Sequence, residues 1–208
     1  MLLEISDTMQ GVIIMIIVLP LIYWGARLAV KIKYVWTAYR LNPLSPLIDG
    51  NVDQGGPYLK GQYRGYPVRV SFQPHHQPNW THGTYRINAI FIELYQVVGQ
   101  QEWFLKYRQK SEGFFSESSV YIYAESTDAQ LTQRLEQAGI LDIVAALGGG
   151  STRYETLHYS PQFQAFFYTT DVAPRKLPSR DQFLAQLEML CKLVPINQQV
   201  NPVLPPTS

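Results

Sequence analysis

The sequence predicts an α+β fold: a mainly antiparallel sheet of six to seven strands with two or three helices on one face, behind an N-terminal single transmembrane helix. Three observations carry this expectation. The nineteen residues from Thr8 to Ala26 hold no formal charge. Beyond them, short runs with a two-residue apolar period dominate. Two helical patterns interrupt those runs without alternating strictly with them, which is the order of an α+β domain rather than of a doubly wound sheet.

The apolar run comes first. As a helix, nineteen residues rise about 28 Å, close to the ~30 Å hydrocarbon core of a bilayer. Val12, Ile13, Ile14, Ile16, Ile17, Val18 and Leu19 make its centre almost purely aliphatic, and Tyr23 and Trp24 fall where an aromatic belt meets the headgroups. A spanning helix hides the backbone polar groups of such a run from lipid. Pro20 is expected to kink it. A cleaved signal peptide fits less well, because Glu4 and Asp7 precede the run and no Lys or Arg does.

Arg27, Lys31, Lys33 and Arg40 follow the run, four positive charges against none before it. The positive-inside rule then expects the N-terminus outside and the C-terminal domain in the cytoplasm. Leu28, Ile32, Val35, Trp36 and Tyr39 also form one helical stripe. Two readings fit it equally. The segment bends onto the anionic inner leaflet, with Arg27, Lys31, Lys33, Trp36 and Arg40 at the membrane surface, or it continues the spanning helix into water. Residues 1–40 are thus the anchor, and membrane lipid is the first expected partner.

Residues 41–57 change character. Asn42-Pro43, Ser45-Pro46, Asp49-Gly50 and Gly55-Gly56-Pro57 are breaker signals and read as a linker. A domain over 58–195 follows, long enough to bury a core. The tail, 196–208, holds Pro202, Pro205 and Pro206, and Pro195 before it is expected to end the last helix.

Within the domain, Tyr58–Arg64 and Pro67–Phe72 flank Gly65-Tyr66 as a hairpin. Tyr85–Tyr95, Glu102–Arg108 and Val120–Ala124 are further strands. Ser126 or Thr127 caps a helix with Leu131, Leu135 and Ala138 on its stripe, broken near Gly139 and resumed over Ile140 to Leu147. Arg153–Tyr159 and Gln164–Asp171 are two more strands, turning at Ser160-Pro161. Ser179 caps a final helix whose stripe is Phe183, Leu187, Leu190, Cys191 and Val194.

Chemistry is sparse. The near-balanced charge, +1, and 46% apolar content exclude a strongly basic nucleic-acid binder and a disordered chain, so no nucleic-acid partner is expected. A single cysteine excludes an internal disulfide framework and a zinc site with two Cys ligands. His75, His76 and His82 are the nearest approach to a metal cluster, and only in a loop could the first two share an ion. Gly148-Gly149-Gly150-Ser151-Thr152 has phosphate-loop composition but follows a helix and precedes a strand, the reverse of what phosphate binding needs. Cys191 with His158 is a conceivable nucleophile pair, yet Cys191 lies on an apolar stripe. No catalytic residue, metal ligand or cofactor is therefore assigned.

The fourteen Tyr and four Trp are the more informative excess. Tyr, Trp and Arg favour protein contacts, although Tyr also suits half-buried strands. Tyr107, Arg108, Tyr121 and Tyr123 are the candidate partner-binding residues, on a sheet face that two short helices leave open. The expectation is a non-enzymatic, membrane-anchored protein that binds a protein partner, as an accessory subunit or assembly factor of a membrane complex. The alternative is a membrane-bound enzyme or ligand binder using the His75–His82 loop.

Overall fold

A computed structural model describes residues 7–53, 56, 58–79, 83–110, 119–146, 156–172 and 177–203. Asp7–Leu41 is one uninterrupted α-helix, α1, of 35 residues. At 1.5 Å per residue it is about 52 Å long. It is long and apolar enough to cross a membrane. Pro20 lies inside it without ending it. After Arg27 the helix continues unbroken until it reaches the domain, where Thr37 and Leu41 are buried.

The linker expected over 41–57 is instead largely part of the domain. Asn42–Ile48 form a 3-10 turn, with Pro43 fixing its start and Leu44 and Ile48 buried. Its end is closed by a left-handed Asp49, whose chain neighbour Gly50 accepts a bond from the Ser45 hydroxyl. Asn51–Asp53 then form an edge strand, β1. The breaker residues shape the turn, while Leu44 and Ile48 gain burial that holds it down. Gly61 makes the seat possible: a Cβ there would stand 2.2 Å from the Ile48 carbonyl oxygen.

Seven more strands complete one sheet: β2 (Tyr58–Tyr63), β3 (Tyr66–Asn79), β4 (Gly83–Tyr95), β5 (Trp103–Lys110), β6 (Ser119–Ser126), β7 (Thr156–Ser160) and β8 (Ala165–Val172). The spatial order is β1-β2-β3-β4-β8-β7-β5-β6, with every neighbour antiparallel. Among the described residues the sheet thus has eight strands, not six or seven. The extra strand is β1, too short to show a period. A meander of four strands is followed by two hairpins, and the later hairpin, β7-β8, inserts between β4 and β5.

Register makes the core a set of cross-strand rows. Leu59, Val70, Ile92, Tyr168, Leu157, Leu105 and Ala124 pair successively across seven strands, and all are buried. Beside them run Val68, Leu94, Phe166, Tyr159 and Trp103. The three aromatics of that row pack with ring centroids 5.6–6.2 Å apart.

Three helices complete the core. α2 (Ala129–Gln137) is capped by Asp128 rather than by Ser126 or Thr127; Asp128 accepts from the Gln130 N–H at 2.8 Å. Ser126 instead accepts from the Asp128 N–H at 3.3 Å. α3 (Ile140–Ala145) starts at a left-handed Gly139. α4 (Arg180–Val200) opens with a complete Ser179–Gln182 capping box, satisfying two backbone donors reciprocally. It buries Phe183, Leu187, Leu190 and Val194.

Pro195 does not end α4, contrary to expectation. A proline inside a helix costs ~3 kcal/mol. Burial of Leu193, Val194, Asn197 and Val200 outweighs it here. A polar clamp adds to this. Trp103 Nε1 donates to Asn197 Oδ1 at 2.7 Å, and Asn197 Nδ2 donates to the Val98 carbonyl at 2.8 Å. Asn201 accepts from the Gln101 N–H and donates to its carbonyl, at 2.9 and 2.8 Å. Gly99 lies against both asparagines, so closely that a Cβ would be 2.7 Å from Asn197 Nδ2. The tail expected from 196 onward therefore includes the anchored end of a helix.

Candidate functional site

Strand alternation sends one residue in two to the opposite face of the sheet. There the register builds a second seven-strand row, one residue out of step with the core: Lys60, Arg69, Glu93, Phe167, His158, Phe104 and Glu125. Unlike the core row, none of its members is fully buried. Its composition is cationic and acidic at one end and aromatic in the middle, and it ends on an acid.

The aromatic part is a continuous stack. The His158 ring lies on Phe104 at 4.2 Å between centroids and 9° between planes, and on Phe167 at 5.6 Å. Phe163, 57% exposed in the β7–β8 turn, meets the Phe167 edge at 5.8 Å. Lys106 reaches over Phe104, its ammonium 5.4 Å from the ring centre, and pairs with Glu125 at 2.7 Å. Glu102 holds His158 Nε2 at 2.7 Å, fixing the ring's orientation.

The polar end is compact. The Arg69 guanidinium sits 3.7 Å over the Tyr58 ring and 3.6 Å from Glu93. Tyr95 donates its hydroxyl proton to Glu93. Burial, then the neighbouring Glu93 charge, raises the Tyr95 phenol above its ordinary value, so it stays a donor through the neutral range. The charges of this face are largely satisfied within it. What it offers outward is aromatic area with polar edges, and proteins recognise such a surface through stacking and shape rather than through net charge.

Tyr123 is half-buried and pairs with Lys106 across β5 and β6, beside Phe104. Arg108 pairs with Tyr121 two positions further on, in the same parity. Tyr107 does not belong with them: it pairs with Ile122 and is in step with Trp103 and Leu105 of the core rows. Four residues at the centre of the face, Arg69, Phe104, His158 and Phe167, were not among the partner-binding candidates of the sequence, and His158 was considered only as a companion of Cys191. Each alternates correctly within its own strand, but only the inserted β7-β8 hairpin sets them in one row.

Of the expected histidine loop, the described part lies in strands. His75 and His76 are adjacent in β3, opposite Ile87 and Arg86 of β4, and adjacent strand positions alternate faces. His82, Trp80 and the Gly148–Thr152 segment lie outside the described residues. Among the described residues no three His, Cys, Asp or Glu side chains gather as a metal site. Cys191 is on α4, packed against the core, whereas His158 belongs to the opposite face, so the two do not form a nucleophile pair. Burial pushes the Cys191 thiol up, as does nearby Glu188, away from the thiolate that a nucleophile needs.

In α1, Ile16, Ile17, Val18, Leu19 and Trp24 are all exposed, and Val12, Ile13 and Ile14 continue the helix toward its start. Arg40 and Trp36 join helix to domain. The Arg40 guanidinium lies 3.8 Å over Trp36 and 5.1 Å over Phe72. Comparison with protein families, with curated proteins and with solved structures gives no match for this chain.

Proposed function

We propose that this chain is a non-enzymatic, single-pass membrane protein whose α+β domain docks a protein partner through the open face of its sheet, as an accessory subunit or assembly factor of a membrane complex. One observation carries the reading. A stacked aromatic row crosses the outer face while its charges are paired among themselves, which favours a complementary protein surface over a small charged ligand. The anchor supplies the rest. A domain tethered to the bilayer meets membrane partners at raised effective concentration, so a modest interface suffices. The charges at Arg27, Lys31, Lys33 and Arg40 favour the cytoplasmic side for the domain.

The test is affinity purification of the tagged full-length protein from its own membranes in mild detergent, with mass spectrometry and metal analysis of the same sample. A stoichiometric membrane complex without metal is the expected result. A lone protein carrying bound metal would overturn the reading.

A further inference from the structure

We propose that α1 pairs in parallel with α1 of a second copy of this chain, along a seam formed by Leu28, Ile32, Val35 and Tyr39 with Trp36 at its flank. The inference rests on the membrane-anchor reading but not on the partner of the sheet face.

The argument begins with what the helix leaves uncovered. Leu28, Ile32, Val35 and Tyr39 are each at least 60% exposed. Their spacing of four, three and four residues is the a/d repeat of a coiled coil. The same alternation runs back through Gly25, Leu21 and Val18 into the uncharged run. Thr37 and Leu41, the residues that seat the helix on the domain, are buried on its other side. At 100° per residue, Thr37 lies roughly opposite the seam. The domain therefore does not obstruct it.

Lipid tails do not reach the whole stripe. Tyr39 lies thirteen residues beyond Ala26, about 20 Å further along an unbroken helix, past the end of a ~30 Å hydrocarbon core. An exposed apolar stripe that runs past the hydrocarbon core marks a contact surface, and a second helix covers it along its whole length.

A second copy fits for three reasons. Copies anchored by the same segment insert in the same direction, so only a parallel pair is available, and a parallel pair sets each seam residue against its own equivalent. None of Arg27, Lys31, Lys33 and Arg40 occupies an a or d position, so pairing brings no like charges into the seam. In such a pair, Lys31 at a g position faces the e position of the other copy, which is the uncharged Trp36, so the flank also sets no like charges together. The thirteen residues from Arg27 to Tyr39 are too few to pair alone; the spanning part holds the two helices side by side.

The test is disulfide scanning of the full-length protein in membranes, on a Cys191→Ser background that removes the chain's one cysteine. Leu28→Cys, Ile32→Cys and Val35→Cys sample the seam; Val30→Cys and Lys33→Cys are exposed off-seam controls on the same helix. Because a disulfide needs Cβ atoms about 4 Å apart, the seam variants are expected to give about tenfold more covalent dimer than the controls. No dimer at any position, equal dimer at all five, or a cross-link to a different protein would each overturn the inference. Alkaline carbonate extraction of the same membranes separates the two failures. A chain that stays in the membrane without seam cross-links refutes the pairing alone, and a chain that washes off refutes the anchor beneath it.

Discussion

The two faces of one sheet carry parallel rows, a residue apart, with opposite chemistry. The inner row, from Leu59 through Ile92 to Ala124, is apolar and sealed. The outer row, from Lys60 through Glu93, His158 and Phe104 to Glu125, is mixed and half-open. The same hydrogen-bond register builds both, so a single step along each strand divides the residues that hold the fold from those that the proposed docking would use. The difference teaches where substitutions matter for folding and where, under the proposed function, they would matter for binding.

The sharpest way to break the comparison is at the centre of the inner row. Ile92→Ala is expected to cost ~2–5 kcal/mol, through lost burial and the cavity left between β3 and β8. Urea unfolding of the full chain in detergent, followed by tryptophan fluorescence, reads this as a lower midpoint at unchanged slope.

A smaller effect comes from the clamp beside that row. Burial raises the Tyr159 phenol to about 12, with the Asn197 side chain opposing the shift slightly. Its hydroxyl donates to the Gly99 carbonyl at 3.0 Å. The unfolded chain ionises this tyrosine near pH 10 while the folded one keeps it neutral. The native state then binds more protons than the unfolded one, so stability is intact below pH 10 and falls as pH rises toward 12. The loss approaches about 2 kcal/mol. Tyr159→Phe, although less stable at neutral pH, is expected to show a flatter decline over the same interval. An equal decline in the two proteins would assign it elsewhere.

How much of this was legible before folding differs by level. The long apolar helix at the N-terminus was readable because length and the absence of charge suffice. So were the Ser179 cap and most strand positions, which rest on local spacing. Residues 42–48 were misread because turn-forming prolines there accompany Leu44 and Ile48, whose burial depends on a distant surface, that of β2. Pro195 was misread because tertiary burial overrode a local rule. The outer row was out of reach in principle. Phe104, His158 and Phe167 are separated by up to 63 positions in sequence, and nothing local announces that β7 and β8 enter between β4 and β5. Tyr107 and Arg108 show the finer limit. A strand's alternation can be seen, yet its inner face is known only once its neighbours are.

The smallest expected change in stability is on the outer row, and the central claim stands or falls there. The measurement is a paired one on Phe104→Ala/Phe167→Ala in the full chain: unfolding midpoint, and recovery of co-purifying protein from native membranes in mild detergent. Removing two half-exposed rings that pack beside His158 is predicted to lower stability less than Ile92→Ala alone, while the stoichiometric companion of the wild-type chain is lost. A variant that keeps that companion at wild-type yield would contradict the account, because the aromatic row would then be only the solvent side of a sheet.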